Sequence, residues 1–421
     1  MTKSVLISGG GIAGPALAYW LRRHGFTPTI VEIAPAPRPG GQTVDIRGIS
    51  KVVVERMGLM PAIKRAQLHE RGLEYVRANG RTGAAMPAEL LDGAGPVADI
   101  EILRGDLAGI LNDAIDGEIE YLYGDSIAAL DQDTAGVSVT FTSGSQRRFD
   151  LVVGADGVHS RVRKLAFGPE EQFVQHLGGY GSFFTIETPE PLNHWMKIYS
   201  APGGRWVGLR PDHDPRYAKA LLSFRSPVLS YDRRDVDAQK ALLAERFKGL
   251  GWHTDHILTA LRDADDLYFD STSRVVVPEW SRGRVVLVGD AGYCGSPLAG
   301  HGTALSLVGA YVLAGELAAA EGDHVRAFPS YQAQLQAYVD QRMELPPGGI
   351  RMAMPMTAVG ISLRNAQIRL MMSRPFTGLL AKLAAAVPDK IELKDYHAGE
   401  EQTPSLVEGG NPVGVAAEEA E

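Results

Sequence analysis

The sequence predicts an α/β protein: a Rossmann-like domain, a smaller domain built on an antiparallel β-sheet, and a C-terminal helical region. Three observations carry this. An apolar run at residues 4–8 breaks at once into Gly9-Gly10-Gly11-Ile12-Ala13-Gly14 and continues with helical spacing. From about residue 173 to 275 the chain becomes rich in aromatics and prolines and reads as strands of an antiparallel sheet. At Val285 the pattern of a buried strand followed by an apolar helix returns.

Taken in order, residues 4–8 predict a strand, Leu17 and Leu21 with their small neighbours a helix that Gly25 ends, and Thr29–Glu32 a second strand. Together they make a βαβ unit of a parallel sheet. A helix over Ser50–Met57 is expected to stop near Gly58. Residues 73–88 predict a hairpin turning at Asn79-Gly80. Ile100–Leu103 reads as a short strand, Asp106–Ile115 as a helix, and 119–153 as strands turning at Asp133–Gly136 and Thr142–Ser145. In the middle segment the strands are Gly181–Glu187, Trp195–Ser200, Arg205–Arg210 and Ala220–Arg225, and a charged helix, Asp235–Phe247, interrupts them. Thr303–Ala320 predicts an apolar helix and 325–345 another. Beyond Pro346-Pro347 the chain is rich in Met and small residues up to about 396.

Bulk properties narrow the class. The chain has 421 residues, enough for two or three packed units, since one core rarely grows past about 250–300 residues. The formal net charge is −8, and residues 397–421 carry six glutamates and no Lys or Arg, which predicts a disordered acidic tail. No concentrated basic face is present, so a nucleic-acid partner is not expected. Cys294 is the single cysteine, so no intramolecular disulfide is possible. The uncharged apolar runs, Gly302–Gly315 and Met352–Leu363, fall short of the roughly 18–20 residues of a membrane span. With no signal peptide legible, a cytoplasmic protein without membrane contact is expected.

The first motif is a dinucleotide cradle. Gly9 permits a tight turn, Gly11 removes the side chain where a pyrophosphate would approach, and Gly14 lets helix and strand pack closely. The helix start at Ile12 and Ala13 offers free N–H groups to phosphate. Glu32, 18 residues past Gly14 at the end of the second strand, suits a ribose diol. The motif by itself does not separate FAD from NAD.

Three further segments narrow it. They are Glu101-Ile102-Leu103-Arg104-Gly105-Asp106-Leu107, Gly154-Ala155-Asp156-Gly157-Val158-His159-Ser160-Arg161-Val162-Arg163, and Arg284-Val285-Val286-Leu287-Val288-Gly289-Asp290-Ala291-Gly292 with its continuation Pro297-Leu298-Ala299-Gly300-His301-Gly302-Thr303. With these, the sequence resembles the FAD-dependent monooxygenases of the aromatic hydroxylase type, which include tetracycline-modifying monooxygenases and polyketide hydroxylases. The resemblance covers about residues 4–175 and 275–345. It implies that Arg104 contacts the flavin cofactor and that Asp156 belongs to a segment serving FAD and nicotinamide. It also implies that Asp290, after Gly289, bonds the ribityl chain, while Pro297, Gly300, Gly302 and Thr303 lie against the isoalloxazine ring. Read without the family, Asp156 and Ser160 are a helix cap. A buried carboxylate at Asp290 would be costly unless a polyhydroxyl chain satisfied it. Gly41–Arg47 resembles a segment beside the flavin in the tetracycline-modifying enzymes, which makes Asp45 and Arg47 candidates. The sequence departs from the family at Ile33, where an arginine is common and Arg38 is a possible substitute, at Gly292-Tyr293-Cys294, and at His301, where glutamine is usual.

The chemistry implied by the resemblance is reduction of non-covalent FAD by NADPH or NADH, reaction with dioxygen to a flavin C4a-hydroperoxide, and oxygen transfer to an electron-rich aromatic ring. The hard chemistry belongs to the cofactor, so no dedicated acid or base is demanded. His301 either polarises the substrate and assists protonation or is a turn histidine tuning its loop. Cys294 reads as a small buried thiol rather than a covalent flavin anchor. Phe183, Trp195, Trp206, Phe224, Leu298 and Met354 are the candidates for an apolar substrate surface. Each taken alone reads as plain core; together they suggest an apolar pocket for a planar aromatic compound. The expected division is an FAD-binding domain from 1–72, 101–172 and 276–330, a substrate domain from 73–100 and 173–275, a C-terminal helical region at 331–396, and the tail. A flavin dehydrogenase or oxidase, a Baeyer–Villiger oxygenase, and a non-catalytic FAD-containing ligand-binding protein share this sequence grammar.

Overall fold

A computed structural model describes residues 2–37, 40–91, 98, 100–345, 347–373, 376 and 389–396. The acidic tail and Arg38 lie outside these residues.

Four short strands rich in Val, Leu and Ile, with the edge strand Glu120–Tyr123, build a parallel sheet. In spatial order its strands are Val285–Leu287, Leu151–Gly154, Ser4–Ser8, Thr27–Glu32 and Glu120–Tyr123, with Ser281–Arg282 added antiparallel at one edge. The three central strands are almost wholly buried, as continuous apolar runs in a parallel sheet require. Helix Ala13–Arg23 packs against helix Gly302–Ala319, which also contacts Ser50–Arg56 and His324–Arg342. Surrounded in this way, Gly302–Ala319 is buried around its circumference and mostly apolar, with Ser306 and Glu316 its buried polar exceptions beyond the first turn. It is long and apolar enough to cross a membrane, but its burial inside the molecule makes it a core helix.

The second large sheet has eight strands in the order Tyr293–Cys294, Tyr268–Val276, Val174–Glu187, Tyr217–Arg225, Arg205–Pro211, Trp195–Ala201, Gly72–Val76 and Thr82–Pro87. All neighbours are antiparallel except Trp195–Ala201 with Gly72–Val76. Alternation gives this sheet two unlike faces. One carries Tyr180, Phe184, Val207, Leu209, Leu222 and Phe224 into a core closed by helices Val236–Phe247 and Thr254–Asp263. The other carries Phe183, Trp206 and Leu221.

Most expected elements are present within a residue or two. The sequence reading missed two short helices, Met60–Arg65 and Thr254–Asp263. The C-terminal region holds the helices Gly349–Ala353 and Ala358–Met371. Residues 389–396 are not helical. They return to the first core, where the Tyr396 ring sits over Gly315 and the Tyr396 hydroxyl donates to Glu316 at 2.7 Å.

Candidate active site

The glycine turn after the first strand is shaped by the protein's own backbone. Gly9 has φ +113°, and a methyl group added there would stand 2.4 Å from the Ala155 carbonyl oxygen. One added at Gly14 would stand 1.9 Å from the Gly9 carbonyl oxygen. These two glycines answer to packing. Gly11 differs, because its only close neighbour among the described residues is the Arg104 guanidinium, 2.9 Å from the added methyl position. Arg104 has no ion pair or side-chain hydrogen bond among the described residues. The adjoining helix begins at Ile12 and Ala13 with no side-chain cap and no acid in its first turn, so its first N–H groups remain available. Glu32 closes the turn, since its carboxylate accepts from Gly10 N–H at 2.7 Å and from Ala34 N–H at 2.8 Å.

The second motif is a brace. Asp156 accepts from the Ser160 hydroxyl and from the Arg161 and Val162 N–H groups at 2.8 and 3.1 Å, which caps helix Arg161–Ala166. Burial pushes its carboxyl above the usual range, against those hydrogen bonds. Arg163, fully buried, donates to the Val158 carbonyl at 2.6 Å and to the Ala291 carbonyl at 2.9 Å. The brace therefore fixes the loop that bears Asp290. His159 lies beside it, between Glu170 at 3.1 Å and Asp270 at 2.8 Å. Burial opposes its charge, but the hydrogen bonds to Asp270 and Glu170 win and lift its pKa to about 9.

The third motif meets the first. Gly289 has φ +63°, and a methyl there would stand 2.9 Å from Ser306 Oγ and 3.3 Å from Ala13 Cβ. Asp290 follows with one carboxylate oxygen buried and without a hydrogen-bond partner among the described residues. Burial raises its pKa; the Cys294 thiol and the Arg104 charge oppose this. The backbone of Gly302 lies close to that oxygen, 3.5 Å from its added methyl position. Thr303 is buried in the first turn of its helix. Pro297 and Gly300 are exposed, Leu298 is half-buried, and no atom of the described residues approaches within 4 Å of a methyl added at Gly300. His301 is half-buried, and its Nδ1 is buried without a partner among the described residues. Burial, then the charges of Arg342 and Arg47, push its pKa down to about 4. Asp45 forms an ion pair with Arg47, and burial raises the Asp45 pKa.

The eight-stranded sheet turns its open face to this place. Phe183 stacks on Tyr268 with centroids 4.6 Å apart, and Tyr268 feels the charges of Asp290 and Arg104. Trp206, beside Leu221 and Ser223, continues the face. Three glycines lie on it. Gly181 leaves it open, Gly208 lies under the Trp206 ring, and Gly179 lies under Ile350 and the buried Met354. A buried ion cluster joins this sheet to the strand leading into Arg104. Arg210 donates to Glu70 at 2.6 Å and to Glu101 at 2.8 Å.

The comparisons with known proteins agree with this geometry. The model of an FAD-binding domain family matches residues 2–345. A flavin-dependent monooxygenase of Legionella longbeachae is 40% identical over 343 residues, covering 81% of this chain and 87% of its own length. An FAD-dependent monooxygenase of Sarocladium schorii is 34% identical over 394 residues, covering 87% and 91%. The solved structure of the tetracycline destructase Tet(51) superposes with a TM-score of 0.79 at 34% identity, covering 94% of this chain and all of that one.

The chain belongs to the FAD-dependent monooxygenases of the aromatic hydroxylase type.

In this monooxygenase two expected substrate residues need correction. Phe224 is 1% exposed and stacks on Tyr180 inside the second core, on the helix-covered face. Trp195 lies on the same side as Lys197, which pairs with Leu209, and its ring covers Gly72. Neither faces Asp290. The sequence reading also missed residues that do crowd the site: Tyr268, Asp270 and Arg163. Strand alternation was the signal for Tyr268, which falls opposite Phe183. Nothing in the local sequence pairs His159 with Asp270, which lies 111 residues away.

Proposed function

We propose that this monooxygenase hydroxylates a planar aromatic or polyketide-like small molecule, using NADPH or NADH and dioxygen. The observation that carries the reading is the open sheet face, on which Tyr268, stacked on Phe183, feels the charges of Asp290 and Arg104 and Trp206 extends the apolar surface away from them. The residues fit FAD. Among the described residues, Asp290 holds a buried oxygen with no partner, which a ribityl hydroxyl would satisfy, and the Arg104 guanidinium beside Gly11 has no counter-ion. In this reading Arg104 and the N–H groups at Ile12, Ala13 and Gly14 hold the pyrophosphate, and Glu32 the adenosine ribose. Gly300, Gly302 and Thr303 border the ring. Asp156 acts through the helix it caps. Bound and reduced, FAD supplies activated oxygen. The chain's own residues position the substrate on Phe183, Trp206, Leu298 and Met354 and keep water from the ring.

His301, neutral at pH 7, takes part as a hydrogen-bonding group and not as an imidazolium acid. Two solved neighbours, Tet(51) and Tet(55), are tetracycline destructases at 34% and 36% identity, which supports a polycyclic phenolic substrate class. The test is to load the purified protein with FAD, screen planar phenols for stimulated nicotinamide oxidation, and weigh the product. A gain of one oxygen atom supports hydroxylation. Loss of two hydrogens supports dehydrogenation instead. A carbonyl compound converted to an ester supports a Baeyer–Villiger reaction.

A further inference from the structure

Helix Ala358–Met371 lies against the strands Thr82–Pro87 and Trp195–Ala201 and brings one charge into the protein. Arg364 is 5% exposed. Its guanidinium sits 4.0 Å from the centroid of the Tyr75 ring. Nη1 donates to the Ala353 carbonyl at 3.0 Å, Nη2 to Ser200 Oγ at 3.0 Å and Asn365 Oδ1 at 2.9 Å, and Nε to Asn365 Oδ1 at 3.2 Å. Every one of these acceptors is neutral. No carboxylate among the described residues pairs with Arg364, and burial lowers its pKa.

A buried cation without a counter-ion is costly. A residue needed only to pin the helix could donate to the Ala353 carbonyl and Ser200 as a neutral amide, without burying a charge. The surrounding sequence withholds a counter-ion as well. Residues 345–388 contain Arg351, Arg364, Arg369, Arg374 and Lys382 and no Asp or Glu.

The place of this charge is informative. Ser200 pairs with Trp206, and Tyr75 with Ile198, so both lie on the open face of the sheet. They sit toward the end of that face opposite Arg210, whose ion cluster marks the flavin end. Donor capacity remains there too. Four of the five guanidinium N–H bonds are used, and Ser200, which accepts from Arg364, keeps its own O–H to give.

We propose that Arg364, with Ser200, is a specificity-determining anion subsite that receives a carboxylate or ionised enol of the aromatic substrate, remote from the flavin. This rests on the reading that the open face binds the substrate. An anionic oxygen there supplies the missing counter-charge and uses both spare donors. Only the guanidinium offers that charge with a fixed planar geometry, so lysine is an imperfect replacement.

The test uses the FAD-loaded full chain and equilibrium binding by calorimetry, with no turnover required. The probes are anthraquinone-2-carboxylate and its neutral carboxamide. Wild type is expected to bind the acid about 10-fold more tightly than the amide, a difference of about 1.4 kcal/mol. Arg364→Gln should abolish that preference by weakening the acid alone, and Arg364→Lys should keep part of it. Equal affinity for the two probes in wild type overturns the proposal, as does failure of the acid to bind. So does a parallel loss of both probes in Arg364→Gln, which marks a purely structural role. A change confined to the preference for NADPH over NADH assigns the site to the co-substrate phosphate and overturns it as well. Failure of the proposed hydroxylation would appear instead as absent nicotinamide oxidation with the probe preference intact.

Discussion

At the scale of single residues the decisive feature is the unsatisfied oxygen of Asp290. A carboxylate whose folded pKa is raised by burial holds a proton that the unfolded chain gives up, so it favours folding at low pH and withdraws that support as pH rises. Without cofactor, Asp290 is a liability; with a ribityl hydroxyl bonded to it, it is an anchor. Asp290→Ala is therefore expected to act with opposite signs on the two forms. The apoprotein should melt higher at neutral pH, while the FAD dissociation constant should rise about 10–100-fold, the worth of a hydrogen bond to a charged group. Differential scanning fluorimetry of the apo form and flavin fluorescence titration read the two effects, and a parallel fall in both would refute the assignment. His301 makes the complementary case. With its pKa near 4 it does not change charge between pH 5.5 and 9. His301→Gln, which restores the residue usual in the family, should alter the rate without moving any limb of the pH–rate profile in that range. A limb near pH 6–7 in wild type that vanishes in His301→Gln would show an imidazole that titrates in the working enzyme.

Among elements, the close approach of strand, turn and helix at Gly9 and Gly14 carries the cofactor end of the site. A methyl at position 14 would meet backbone rather than a flexible side chain, so nothing nearby can yield cheaply. Gly14→Ala should cost about 1–3 kcal/mol in chemical denaturation and release FAD in gel filtration, whereas Gly25→Ala, with open space around it, tests only its positive φ. These elements were legible because each obeys a local rule. An apolar run, a glycine triplet and an acid 18 residues further on suffice for the βαβ unit, and period-two runs suffice for the strands of the second sheet. What was illegible is which face of a strand meets which layer. Phe183 and Phe224 are both aromatic residues on neighbouring strands, yet their parity is opposite once the register pairs Phe183 with Leu221 and Phe224 with Tyr180. Only the two helices laid over one face decide which ring is core, and one of them, Thr254–Asp263, escaped the sequence reading. Long-range polar partnerships escaped for the same reason. Arg210 meets Glu70 and Glu101 across 140 and 109 residues, with no periodicity to announce it.

That last cluster acts at the scale of the whole molecule, because it ties the eight-stranded sheet to the strand Glu101–Leu103, which runs straight into Arg104. Two buried carboxylates, Glu70 and Glu101, face one guanidinium, and Asp45 adds its charge nearby. Burial outweighs Arg210 and lifts the Glu101 pKa to about 7, from an ordinary value of 4.5. Between those two values the folded protein keeps a proton that the unfolded chain has lost. Stability therefore falls as pH rises from about 4.5 to 7 and levels above it. Glu101→Gln places a neutral amide where the acid stands; its one oxygen can accept from Arg210 or from the Ala98 N–H, which now bonds the other carboxylate oxygen at 2.7 Å, but not from both. With one of those bonds lost at every pH, the variant should lie at or below wild type at pH 5 and gain on it by on the order of 1–3 kcal/mol between pH 5 and 8, with a flatter dependence. Asp45, Asp156 and Asp290 shift in the same direction, so the variant removes only part of the slope, and the difference between the two curves isolates Glu101. Because the cluster sets the spacing between substrate face and Arg104, FAD retention should gain on wild type over the same pH range, together with the melting temperature. Identical slopes for the two proteins would mean that Glu101 is ionised throughout, with Arg210 strong enough to overcome burial.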